Sequence, residues 1–163
     1  LAGKGKIVEL KGLMTSTPGQ DRHAGFREGL DLASNPDIQV VFEADMQWLE
    51  PNARKEMESA LSTQSEIDLV YAHNDPGAHG AYLAAKQSGR TMKFVGIDAL
   101  PHEGVQYVKE GILDATFMYP TGGAEAIDAA RKLLKGDTVP KNITLGTRIF
   151  TRENAGRGGE EIK

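Results

Sequence analysis

The chain has 163 residues, 39% hydrophobic and 26% charged, with a formal net charge of -4 and no cysteine. That is enough chain for one core of ordinary size. Disulfides, thiolate catalysis and cysteine-based zinc sites are excluded, no apolar run approaches the roughly 18 residues of a membrane helix, and an acidic balance without a long basic run argues against a nucleic-acid partner.

Leu1 to Lys6 carry no charged segment followed by an apolar one, so no signal peptide is visible. A strand begins almost at once, and the expectation is a piece of a longer protein. Lys6-Ile-Val-Glu-Leu10 reads as that strand, ended by Gly12. The polar loop Thr15-Ser-Thr-Pro-Gly19 leads to a helix over Gln20 to Ser34, with Phe26, Leu30 and Ala33 at helical spacing. Arg22 lies in its first turn, where a cation opposes the helix dipole. A surface arginine is the ordinary reading, but the poor local fit points to ligand contact.

Asn35-Pro36-Asp37 is a turn, Ile38 to Phe42 the second strand, and Glu43-Ala-Asp45 follows it. Pro51 opens a helix whose Ala53, Met57, Ala60 and Leu61 share a face. The connection holds Trp48, the one tryptophan. A lone tryptophan is most often an anchor, yet in a strand-to-helix loop it also suits stacking against a sugar ring.

Ile67 to Ala72 is a short buried strand, and Asp75-Pro76 reads as an N-cap carboxylate with proline at the first helical position of a helix reaching Ser88, ended by Gly89. His73 and Asn74 lie between them, at the carboxyl end of a strand, the edge where open α/β sheets bind ligands. Met92 to Ile97 repeats the pattern and hands over to Asp98. Asp45 with Trp48, Asn74 and Asp98 therefore gather on one edge, and together they suggest a polar pocket.

Val105 to Glu110 is a short helix, Leu113 to Met118 a fifth strand stopped by Tyr119-Pro120, and Thr121-Gly-Gly123 opens a helix with Ile127, Ala130 and Leu134 in register. That glycine pair lacks the spacing of a phosphate loop and reads as a turn. Lys141 to Leu145 and Arg148 to Thr151 form a last extended segment, with a frayed tail expected from Glu153 onward. Regular β-α alternation predicts an α/β, doubly wound parallel sheet flanked by helices, with right-handed crossovers. The four histidines, 23, 73, 79 and 102, have no metal-binding spacing, and no Gly-x-Ser-x-Gly elbow occurs. No metal, no cofactor and no enzymatic chemistry are expected.

Five blocks in order, Lys6 to Gly12, Asp21 to Phe26, Tyr71 to Asp75, Val95 to Asp98 and Ala115 to Tyr119, resemble the C-terminal lobe of periplasmic monosaccharide-binding proteins of the ribose-binding type, the solute-binding components of sugar ABC importers. The resemblance spans about Lys6 to Asn154. It implies a lobe over 1–154 with a flexible 155–163 tail, a segment 119–140 packing on an N-terminal lobe that this chain lacks, a periplasmic location, and a monosaccharide and a membrane permease as partners. It also implies a ligand site of Arg22, Trp48, Asn74, Asp98 and Tyr119, the tyrosine standing where the ribose binder has a polar amide and Trp48 following a longer segment than in that binder. Without the other lobe, the 121–135 helix must dock on its own lobe, pair with a second copy as a homodimer, or be displaced. The ligand-sensing core of a lactose-repressor-type regulator, or of a sensor kinase, is the alternative on the same fold. A flavodoxin-like enzyme or response regulator is disfavoured, because the first strand ends in Lys11-Gly12 without a phosphate loop or acidic cluster.

Overall fold

The computed structural model describes residues 1–162. Strands and helices alternate: β1 Gly5–Lys11, α1 Thr17–Leu30, β2 Ile38–Asp45, α2 Glu50–Thr63, β3 Leu69–Ala72, α3 Asp75–Ser88, β4 Lys93–Asp98, α4 Gly104–Lys109, β5 Ala115–Met118, α5 Gly123–Leu134, β6 Thr147–Thr151 and β7 Glu160–Ile162. They build one sheet in the order β2-β1-β3-β4-β5-β6-β7. The first five strands are parallel, as the alternation predicts, whereas β6 and β7 close the edge antiparallel.

The period of two along a strand divides the residues between two environments. Val8, Leu10, Val70, Ala72 and Phe94 join the α2, α3 and α4 side chains in one apolar core. The small residues Ala53, Ala60, Ala78, Ala81 and Ala85 let α2 and α3 approach closely. Gly80 marks the tightest point: a Cβ there would stand 2.5 Å from the Glu50 carbonyl oxygen.

The alternate residues Glu9, Tyr71 and His73 face α1, and here polar groups are buried. Glu9 is fully buried, and its Oε1 receives His23 Nδ1 at 2.8 Å and His73 Nε2 at 3.1 Å. Arg27, one turn beyond His23, sits 3.3 Å from Glu9 Oε2 and also pairs with Glu43. Phe26 stacks on Tyr71 with ring centroids 4.4 Å apart. α1 has few apolar residues, so polar contacts centred on Glu9 and one aromatic stack do much to tie it to the sheet.

Several local expectations are corrected. α1 starts at Thr17, inside the expected loop, because Ser16 accepts a hydrogen bond from the Gly19 N–H at 3.3 Å and Pro18 suits the first turn. It stops at Leu30, where Asp31 turns left-handed with φ 39°. The N-cap of α3 is Asn74, whose Oδ1 accepts from the Gly77 N–H at 3.0 Å, so Asp75 is the first helical residue and its carboxylate points elsewhere. Lys141 to Leu145 form no strand. Residues 155–162 of the expected flexible tail instead fold, Lys163 lying outside the described residues: a 3₁₀ turn at Ala155–Arg157 leads into β7, because the free edge of β6 offers backbone partners and Arg148 meets Glu161 at 2.8 Å.

α5 buries none of its residues, and Ile127, Leu133 and Leu134 are exposed. It does not dock on its own lobe. On the α1 side of the sheet, Ile7, Phe26, Tyr71, Val95, Ile97 and Phe117 line an apolar groove of about 560 Å³.

Two outcomes follow for stability, both read by urea unfolding of the intact protein. Gly80→Ala is expected to cost about 1–3 kcal/mol by overpacking the α2–α3 contact, while Gly25→Ala, whose Cβ would meet nothing within 4 Å, gains about 0.5–1 kcal/mol through helix propensity. Burial raises the Glu9 carboxyl, but the hydrogen bonds from His73 and His23 and their charge outweigh it, so the group lies below its ordinary 4.5. Its contribution is therefore present above pH 4.5 and lost as pH falls through the folded value. The wild type should lose stability steeply below that pH, and Glu9→Gln, already weaker at pH 7 by about 3 kcal/mol, should show a shallower acid slope; parallel acid profiles would place the sensitivity elsewhere.

Candidate functional site

The carboxyl ends of the parallel strands share one edge, and the turns leaving them carry the expected site residues. After β2, Asp45 Oδ1 accepts from the Gln47 N–H at 2.8 Å, closing a tight turn. Gln47 and Trp48 then take left-handed backbone, φ 53° and 67°. The indole that results lies flat against Gly12 at the end of β1, where any Cβ would collide with the ring. Trp48 is thus aimed by a turn, a strained pair of residues and a missing side chain. Asp45, expected at the pocket, is exposed and spent on that turn.

Arg22, on the second turn of α1, stands at the centre. Its guanidinium donates to the His73 carbonyl at the end of β3 and pairs with Asp98 Oδ1 at 2.9 Å at the end of β4. The same group lies 5.2 Å from the Trp48 ring centroid and 4.9 Å from that of Tyr119. An arginine held by a carbonyl and a carboxylate, with aromatic faces beside it, is a cation whose direction is set before any ligand arrives. Its side chain is only 11% exposed.

Asp98 continues the strain with φ 125°, and Ala99 follows at 52°. Burial raises the Asp98 carboxyl, while the Arg22 charge and hydrogen bond pull it down; the net direction is upward. Asn74 is buried and already engaged: Oδ1 caps α3 and Nδ2 donates to the Trp48 carbonyl at 3.0 Å. One amide hydrogen and one lone pair remain for a ligand. Tyr119 is half exposed at the rim, and Thr17, Pro18, Asp21, Arg22, Ile97 and Tyr119 line an open cleft of about 360 Å³. All five expected residues thus come to one edge, with Trp48, Asp98 and Tyr119 around the Arg22 guanidinium and Asn74 behind Trp48.

Sequence reasoning missed Glu9, Gly12 and the His73 carbonyl. A charged residue inside the run Ile-Val-Glu-Leu was the available signal for Glu9; nothing local marks the other two. Glu9, His23 and Glu43 bring potential cation ligands within 4.8 Å of one another. Arg27 bridges the two carboxylates and Lys11 Nζ lies 3.0 Å from Glu43, so two fixed cations already balance this cluster.

Comparison with known proteins bears on the family and the fold. The profile of the periplasmic binding protein domain matches residues 1–138. Similar proteins include the xylitol-binding protein of Mycolicibacterium smegmatis, 32% identical over 94% of this chain and 44% of its own length. The ribose import binding protein RbsB of Escherichia coli is 28% identical over 93% of this chain and 51% of its own length. Among solved structures, the fructose binding periplasmic domain of a hybrid two component system is 45% identical with a TM-score of 0.90, over 95% of this chain and 52% of that one. The periplasmic binding protein component of the arabinose ABC transporter from Shewanella sp. ANA-3, bound to α- and β-L-arabinofuranose, is 29% identical with a TM-score of 0.87, over 95% and 53%. The chain spans about half the length of the relatives it matches. By profile, sequence and fold, it belongs to the periplasmic binding protein family.

Proposed function

We propose that this chain is the C-terminal lobe of a periplasmic protein that binds a monosaccharide non-covalently between two lobes. The observation that carries the reading is the guanidinium of Arg22, fixed by His73 and Asp98 and flanked by Trp48 and Tyr119. A sugar presents an apolar ring face and a rim of hydroxyls, and this edge offers a counterpart to each. The indole packs on the ring face. The free Asp98 oxygen accepts from hydroxyls, the remaining Arg22 N–H groups donate to hydroxyl or ring oxygens, and Asn74 adds its unused donor. None of these roles needs a bond made or broken.

A pocket with one wall binds weakly. Closure of a second lobe supplies the opposite contacts and excludes water, which strengthens the charge-assisted hydrogen bonds. In this reading the segment 119–140, with the apolar face of α5, packs on that second lobe rather than on a second copy of the chain. Capture and delivery to the permease of an ABC importer is the first use, since the ribose and arabinose proteins above carry import or ABC transporter in their names. A periplasmic sensor domain is the second reading. It is favoured by the 45% identity to the fructose binding domain of a hybrid two component system, well above the 29% and 28% of the arabinose and ribose proteins. Both uses share the sugar site and differ in what the closed form touches.

The test is calorimetric titration of the full-length protein with D-fructose, D-ribose, L-arabinose and D-xylose. One sugar is expected to bind at micromolar levels. Trp48→Ala and Asp98→Ala should each weaken it by about 10- to 100-fold, the loss of one stacked ring or one charged acceptor, at about 1.4 kcal/mol per tenfold. Unchanged affinity in both variants removes the proposed pocket, and silence of the folded wild type across the panel removes the monosaccharide.

A further inference from the structure

Asp75 is fully buried, yet it has no place in the set that faces the cleft. Its Oδ1 accepts from the Thr116 hydroxyl of β5 at 2.6 Å, and its Oδ2 accepts from the Ala99 N–H at 2.8 Å. Two glycines make room for it. A Cβ on Gly96 of β4 or on Gly104 at the start of α4 would run into the carboxylate. One side chain at the head of α3 therefore meets β4, the β4–α4 turn, α4 and β5.

The Ala99 N–H belongs to the strained turn that presents Asp98. With φ 125° at Asp98 and 52° at Ala99, this backbone departs from what non-glycine residues prefer and persists only where its surroundings hold it. Asp75 is a group that grips it, directly behind the carboxylate that pairs with Arg22 at 2.9 Å. We propose that Asp75 is a positioning residue of the sugar site: from its glycine-lined cradle it clamps the Asp98–Ala99 turn and so sets the aim of Asp98 at the ligand. The ligand half of this statement rests on the sugar-binding reading above; the clamp does not.

The chemistry of the cradle adds a dependence on pH. Burial pushes the Asp75 carboxyl up to about 7, although the Thr116 hydroxyl and the Ala99 N–H favour its charged form. The charged groups facing it are Asp98 from the end of β4 and Glu103 ahead of α4, both negative, with the Tyr107 phenol on α4 and only the neutral Thr116 on β5. When Asp75 is neutral, its proton goes to the Thr116 oxygen; when it is charged, the Thr116 hydroxyl turns round and donates. Oδ2 accepts from Ala99 in both forms, and more strongly in the charged one. Since the folded value lies above the ordinary 3.8, the group's share of stability is complete below pH 3.8 and is lost as pH rises to about 7. The grip on Ala99 tightens as the pH passes through that folded value.

The experiment uses the full-length protein, with D-fructose and the other sugars above as probes at pH 5.5 and 8.5, and amide hydrogen exchange without sugar. In Asp75→Ala, sugar affinity should fall at least tenfold and Ala99 should exchange at least tenfold faster, with Val8 and Val70 unchanged. Asp75→Asn, which keeps an acceptor for Ala99, should restore both to within threefold at pH 5.5. The affinity of the wild type should rise between the two pH values while that of Asp75→Asn stays flat. Three results overturn the proposal: Asp75→Ala within threefold of wild type, exchange that quickens equally at Val8, Val70 and Ala99, or parallel pH profiles for wild type and Asp75→Asn. The last comparison decides the matter if Asp75→Ala does not fold. If no sugar binds the wild type, the sugar-binding reading fails, and Ala99 exchange alone decides the clamp.

Discussion

A single buried carboxylate holds together what the rest of this fold needs. Glu9 sits in the middle of β1 with no exposure to water and takes up two imidazoles and an arginine. Leaving such a group unpaired would be strongly unfavourable, so its partners are fixed by the cost of losing them. Two of those partners, His23 and Arg27, lie on α1, a helix with too few apolar side chains to be held by burial alone. The third is His73, whose carbonyl anchors Arg22. The electrostatics of one strand residue thereby place both the helix that carries the site's cation and the backbone oxygen that directs it.

Around this anchor the site is built from conformations that free chains avoid. Gln47, Trp48, Asp98 and Ala99 all have positive φ without being glycine. Each is held by something outside itself: the Asp45 turn, the bare surface of Gly12, the Arg22 pair and the Asp75 carboxylate. Strain of this kind is tolerated where the surrounding fold over-determines it. The result is a cation, an aromatic face and a carboxylate whose directions are set in advance, which lowers the ordering cost of binding.

Much of this was legible in the sequence, for identifiable reasons. The Val- and Ile-rich runs mark the buried strands, the carboxyl ends of those strands name the candidate edge, and Arg22 stood out because a helix expected from Gln20 put a cation in its first turn, whereas the helix starts at Thr17 and Arg22 lies in its second. What escaped notice depends on contacts between distant residues. His23 and Arg27 are unremarkable helix surface until β1 places Glu9 beneath them. Asp75 reads as an N-cap because the residue before a proline often is one; only the tertiary structure shows Asn74 in that role and Asp75 turned inward. β7 is invisible in a glycine-rich, charged tail because its partner is the edge of β6, and edge pairing places few demands on side chains.

The contact between Trp48 and Gly12 bears on how binding preference can diverge among such proteins. The two positions are unequal. At 48 the backbone is already left-handed and the ring rests on an open platform, so exchange for another aromatic alters the width and polarity of the wall without rebuilding the turn. At 12 any side chain evicts the ring. Under the sugar-binding proposal, drift in ligand choice therefore has a path through the aromatic and none through the glycine, and the wall can change while the platform beneath stays the same.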